Sequence, residues 1–262
     1  MMNMKKLTTF SLCIFLFLLA GCSDGGQPEE TAENFDSIVP QTELDHSILI
    51  FSKTAGFRHG SIEAGVEAIT NLGEENGVFV FATEDASLFN EADLSRFDAV
   101  VFVSTTQTLF NEDQRSAFQQ FIQSGGGFAG IHSATDTEYD WPWYNRLVGA
   151  YFANHPRNQT ATLLIQNHEH PATEMLPEEW EKYDEWYNFR DMNEDVEVLI
   201  ALDPESYEGS DHPEFHPISW YHEFDGGRVF YTGLGHTEES YTEDELFLQH
   251  LWGGIEYAMG VR

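Results

Sequence analysis

The chain has 262 residues and a formal net charge of −33, from 45 acidic and 12 basic side chains. So acidic a surface repels nucleic acid and anionic lipid headgroups and argues against both as partners of the folded body. The 41% apolar and 14% aromatic content can still bury a large core, so the acidity reads as a solvated surface and not as disorder.

The N-terminus carries Lys5 and Lys6 ahead of an apolar run over 12–20. That run is too short to span a bilayer and has the layout of a signal segment. Leu19-Ala20-Gly21-Cys22 resembles the bacterial lipobox. The resemblance implies cleavage before Cys22 and acylation of its thiol, with 1–21 as signal peptide. The mature protein is then expected in the bacterial cell envelope, lipid-anchored, on the periplasmic or outer face. The only other cysteine, Cys13, leaves with the signal. The folded body is therefore expected to lack any thiol for a disulfide, a cysteine–zinc site or a cysteine nucleophile. Residues 22–46 are poor in apolar side chains and read as a flexible acidic tether ahead of one domain over 47–262.

In the body, Ser47 to Ser52 is a short apolar run of the kind found in a strand buried on both faces. Ile62, Val66 and Ile69 are at helical spacing, and Gly77 can end that helix. Val78 to Phe81 and Asp98 to Ser104 read as the second and third strands. Asn111 can cap a helix with Phe118, Phe121 and Ile122 on its apolar face; Gly125 to Gly127 stop it, and Phe128 to Ile131 is the fourth strand. This alternation predicts an α/β fold, a doubly wound, mostly parallel sheet with right-handed crossovers. Beyond residue 150 the pattern turns to strands at 160–166, 197–202, 218–224 and 228–232. Asp225-Gly226-Gly227 predicts a hairpin between the last two. Thr242 and Glu245 have capping-box spacing before a final helix that buries Phe247, Leu248, Leu251, Trp252 and Ile255.

Open α/β sheets bind ligands beyond the carboxyl ends of their strands. There lie Arg58 and His59 after the first strand, Ser104 to Gln107 after the third, His132 and Ser133 after the fourth, and His236 after the last. His59, His132 and His236 can act as acid–base groups near neutral pH. With a carboxylate such as Glu185 they can equally suit zinc or iron, so a divalent metal stays open, with no ligand set assigned. Arg58 can pair with an acidic substrate group or with Glu185. Asp136 and Glu138 can hold the His132 imidazole. His168-Glu169-His170 has the composition of a metal clip but sits in a loop before Pro171, while His212, His216 and His222 read as ordinary. Trp141, Trp143 and Tyr187 offer flat faces on which sugar rings stack, though about half of such aromatics are expected to be core.

Thr54-Ala-Gly-Phe-Arg58-His59, Gly125 to Ala134, Asp184-Glu185-Trp186-Tyr187 and Gly226 to His236 together resemble the ThuA-like, or trehalose-utilisation, family. The resemblance covers roughly 47–260 and implies a class I glutamine-amidotransferase-like fold. It also implies carbohydrate metabolism, with relatives linked to keto-sugar glycosides. His155, before Pro156, belongs to it and is expected to line the pocket. In amidotransferases a Gly-x-Cys-x-Gly elbow carries the nucleophile; here Gly130-Ile-His132-Ser133-Ala134 stands there, which excludes the thioester route. The expected reading is an anchored enzyme acting on a small carbohydrate. His132, His236, Glu185 and His59 would be catalytic, and Arg58, Ser133, Trp141, Trp143, Tyr187 and His155 would hold substrate. The alternatives are a noncatalytic sugar-binding lipoprotein and a metal-dependent hydrolase. Metabolic labelling with a radioactive fatty acid is expected to mark the wild-type chain and to leave Cys22→Ser unlabelled; label kept by the variant overturns the lipid site.

Overall fold

The computed structural model describes residues 44–262, so the expected signal peptide, Cys22 and nearly all of the expected tether lie outside the described residues. Five strands form the parallel half of the sheet: β1 (His46–Phe51), β2 (Val78–Thr83), β3 (Ala99–Val103), β4 (Gly127–Ile131) and β11 (Gly227–Thr232). Four form the antiparallel half: β6 (Gln159–Ile165), β7 (Glu179–Asp184), β9 (Glu197–Leu202) and β10 (His216–Phe224). The nine-stranded order is β2-β1-β3-β4-β11-β10-β9-β6-β7. A separate pair joins β5 (Tyr151–Asn154) to β8 (Asn188–Arg190).

The helices are α1 (Ile62–Glu75), α2 (Glu91–Leu94), α3 (Glu112–Gln123), α4 (Pro142–Val148), α5 (Glu238–Thr242) and α6 (Glu245–Met259). Every residue of β3 and β4 is buried, as strands covered on both faces must be. Phe118 of α3 meets Phe102 and Phe128 of these strands, and Phe51, Phe89, Phe110 and Tyr144 extend one aromatic core around them. Asn111 caps α3 in a reciprocal capping box with Gln114. The β10–β11 turn is Asp225-Gly226, both at positive φ (52° and 106°), as a two-residue hairpin turn of this hand requires. At Gly127 a Cβ would come within 2.0 Å of the Ala258 carbonyl oxygen, so this glycine lets α6 lie directly on β4. Among the described residues no helix is long and apolar enough to cross a membrane.

One local expectation changes. Thr242 ends α5 and does not open a capping box; Asp244 caps α6, accepting from Phe247 N at 3.1 Å. Its carboxylate serves that N–H and Lys182 Nζ at once, a stronger cap than a hydroxyl. The Glu179–Asp184 segment is an edge strand alternating exposed and buried residues.

The sheet curls. Flat, β7 would stand about 19 Å from β11, four strand spacings away. Register shifts between β9 and β10 mark a bulge, which bends and twists its strand. The antiparallel half bends far enough for the end of β7 to meet the loop that follows β11, where Asp184 Oδ2 accepts from Gly235 N at 3.0 Å.

Two buried histidines brace this region in neutral form. His250 Nδ1 donates to Ala172 O at 2.9 Å while its Nε2 meets the Thr232 hydroxyl at 3.1 Å. His216 Nε2 donates to Tyr187 O at 2.8 Å. Burial pulls each imidazole from an ordinary 6.5 down to about 4. The unfolded chain therefore binds more protons between these values, so stability is fully present above about pH 6.5 and is lost as pH falls toward about 4. The melting temperature is expected to fall from about pH 7 to about pH 5, and to fall less in His250→Gln. An unchanged wild-type melting temperature over that range contradicts the neutral, buried state.

Candidate functional site

Four side chains from four strand ends meet at the carboxyl edge of the sheet. His59 follows β1, His132 follows β4, Glu185 follows β7 and His236 follows β11. His132 Nε2 lies 3.2 Å from His59 Nε2 and 3.2 Å from His236 Nδ1. Glu185 Oε2 lies 3.2 Å from His236 Nδ1 and 3.6 Å from His132 Nε2. His59, His132 and Glu185 are buried; the His236 side chain is 23% exposed. One donor atom from each falls within 4.8 Å of all the others, close enough to share a metal ion.

The local backbone explains the aim of each ring. His132 sits at φ +50°, between β4 and the short 3-10 turn His132–Asp136. This is a sharp strand-to-helix turn of the kind that lifts a nucleophile above a sheet. Its Nδ1 faces Gly233 O at 3.0 Å and so carries the hydrogen, leaving Nε2 as a lone pair toward the cluster. Ser133 Oγ lies 3.3 Å from His59 Nδ1. His155 Nδ1 lies 3.1 Å from Glu185 Oε1, and its side chain is 42% exposed at the mouth. Tyr187 is buried with its ring 4.4 Å from that of His132.

Burial and the neighbouring imidazoles pull His59 down to about 3, so it is neutral at physiological pH. Burial alone would raise the Glu185 carboxyl, but the bond from His236 and the neighbouring imidazoles outweigh it and hold its pKa well below the ordinary carboxylate range. Burial likewise works against charged His236, and its bond to Glu185 more than compensates, so its pKa is raised. Burial raises Asp136 although Tyr139 and Gln107 donate to it.

The six residues expected to hold substrate divide. Ser133, Tyr187 and His155 adjoin the cluster. Arg58 does not hold Glu185: its guanidinium pairs with Glu63 at 2.7 Å and Glu84 at 2.8 Å. Trp143 donates to Asp225 Oδ2 at 2.8 Å, in the turn that starts β11, and Trp141 stacks on Trp143. The cluster adjoins the far end of that strand, about 20 Å away at about 3.3 Å per residue. Both indoles therefore cover the aromatic core beside Phe118 and do not line the site. Neither Asp136 nor Glu138 holds His132. Glu138 is buried and bound by Leu109 N, Phe110 N and Arg115, pinning the loop after β3. His170 is buried and accepts from Ala172 N.

Two contributors escaped the sequence reading although both lie in motifs it singled out. Phe57 is 68% exposed with its ring 4.8 Å from that of His59, a free aromatic face at the rim. Asp184 is buried and accepts from Glu185 N, Gly235 N and His236 N, each at 3.0 Å. Lys182, held by Asp244 and Ser240 at 2.8 Å, stands 3.8 Å from Asp184 Oδ2. Asp184→Asn keeps one acceptor and turns an amide N–H₂ toward a backbone N–H. It is expected to cost about 1–3 kcal/mol in chemical denaturation; a variant of wild-type stability contradicts the bracing role.

The trehalose-utilisation (ThuA) family pattern matches residues 47–258. A ThuA-like protein from Bacteroides uniformis has a similar structure, with 22% identity, a TM-score of 0.69, and coverage of 89% of this chain and 95% of its own. Another, from Parabacteroides merdae, is 19% identical with a TM-score of 0.66, over 82% of this chain and 90% of its own. A β-galactosidase from Bacillus circulans sp. alkalophilus shares the fold at 14% identity and a TM-score of 0.56, over 86% of this chain and 32% of its own. No curated protein matches the chain. The motifs, the curled α/β sheet and the match across the body agree: this chain belongs to the ThuA, or trehalose-utilisation, family.

Proposed function

We propose that this protein is a lipid-anchored enzyme of carbohydrate metabolism whose reaction centre is the His59–His132–His236–Glu185 cluster. The convergence of three imidazoles and one ionised carboxylate at a half-open strand edge carries the reading. The family's trehalose-utilisation description supports a sugar as substrate. Phe57 offers the apolar face of such a ring a stacking surface, and His155 stands beside the cluster as a polar group for hydroxyls.

The chemistry these groups support is proton transfer at a glycoside or keto-sugar. Neutral His59, and His132 through the Nε2 that faces away from Gly233, present lone pairs to an incoming hydroxyl or to a C–H beside a carbonyl. His155 Nδ1 faces both Glu185 Oε1 and Pro156 O, so it carries the hydrogen and leaves Nε2 free to exchange protons at the mouth. Glutamine hydrolysis through a thioester is ruled out, since the chain has only Cys13 and Cys22, both ahead of the folded body.

The test is turnover of disaccharides and their 3-keto forms by the full chain. Wild type is expected to convert at least one of them, and His132→Ala to lose about 100-fold or more of kcat while keeping sugar affinity. Sugar binding without turnover in wild type overturns the enzyme and leaves a surface sugar-binding protein.

A further inference from the structure

The donor geometry assigns a divalent transition-metal site to His59, His132, His236 and Glu185. This deepens the reading of the cluster as a reaction centre and rests on it for the metal's catalytic use, though not for its binding. Ligands about 2.0–2.1 Å from a tetrahedral zinc stand about 3.3–3.4 Å apart. The four shortest donor contacts here are 3.2, 3.2, 3.2 and 3.6 Å. They fit the edges of one coordination polyhedron.

Hydrogen bonds can bridge His59 to His132 and His236 to Glu185, but they leave the 3.2 Å contact between His132 and His236 without a hydrogen of its own. His132 Nε2 has one lone pair, because Nδ1 spends its hydrogen on Gly233 O, yet two other imidazole nitrogens face it at 3.2 Å. Only one of them can donate to it. A cation accepts all three lone pairs at once.

The surroundings supply the outer contacts that orient metal ligands. His132 Nδ1–H is fixed by a backbone carbonyl. His59 Nδ1 faces Ser133 Oγ, which can accept its hydrogen. Glu185 uses Oε2 toward the cluster and Oε1 toward His155, so its two oxygens have separate tasks. Asp184 fixes the backbone of both Glu185 and His236.

Three nitrogens and one oxygen select borderline ions such as zinc, manganese, iron or cobalt over calcium and magnesium, which prefer all-oxygen sets. One carboxylate and three neutral imidazoles leave a dication a net positive charge with which to polarise a sugar oxygen. The partial exposure of His236 leaves one side of the polyhedron toward solvent. Binding would displace the proton shared by His236 and Glu185. The remaining proton carrier at the mouth would then be His155, which is outside the ligand set.

The experiment is titration of the chelator-stripped full chain with Zn²⁺, Mn²⁺ and Co²⁺, read by calorimetry and, for Co²⁺, by its visible absorption. One equivalent is expected, with Ca²⁺ and Mg²⁺ silent. His132→Ala, His236→Gln and Glu185→Gln are each expected to weaken binding about 100-fold or more and to alter the cobalt spectrum. His168→Gln, at a remote imidazole, is expected to change nothing. Circular dichroism identifies any variant that fails to fold, and the remaining ligand variants then decide. Absence of stoichiometric binding, or wild-type affinity in folded ligand variants, overturns the site. The two readings fail differently. Sugar turnover by metal-free protein overturns the metal and keeps the reaction centre. One bound equivalent without turnover of any sugar keeps the metal and overturns the enzyme.

Discussion

Asp184 accepts the backbone N–H groups of Glu185, Gly235 and His236 from a fully buried position, and the geometry of the whole cluster depends on those three bonds. Two of them tie the last residue of an edge strand to the loop beyond a central one. Without that tie Glu185 would belong to the rim of the sheet and the three imidazoles to its middle. A buried carboxylate is costly unless each of its bonds is made. Here three N–H groups and the nearby Lys182 ammonium meet that demand, and Lys182 is itself held by α5 and α6 through Ser240 and Asp244. The latch therefore extends from the edge strand into the helices on the sheet's face.

The backbone around His132 connects the scaffold to its chemistry. A sharp turn with φ near +50° after a buried strand is the kind of turn that lifts a reactive side chain above a sheet. Here the side chain is an imidazole whose far nitrogen is pinned to Gly233, so the turn presents a fixed lone pair. Fold and reaction are separable in this way because the sheet supplies only position, while the side chain at that position supplies chemistry.

Much of this was legible in the sequence, for physical reasons. Continuous apolar runs such as Ala99 to Val103 can only be strands covered on both faces, and the alternation with helices fixed the parallel half. The polar residues at those strand ends, His59, His132 and His236, were therefore correctly gathered at one edge. Where interpretation went astray, the cause lay in tertiary packing. Trp141 and Trp143 follow the His132 loop closely in sequence, but α4 carries them down the outside of the sheet onto Phe118. Arg58 is adjacent to His59, yet consecutive residues in an extended loop point apart, and Glu63 and Glu84 claim its charge. The role of Asp184 was invisible because it acts on backbone groups 51 and 52 residues away, which no spacing rule encodes.

The four clustered donors span positions 59 to 236, nearly the full length of the described body. Bringing such distant points together is among the slowest demands a folding chain meets, since loop closure must precede any gain from contact. A nascent or partly unravelled molecule carries all the individual imidazoles but no shared focus for them. The centre thus comes into existence only when the outermost strand docks, so that competence for ligand and completion of the tertiary structure are the same event.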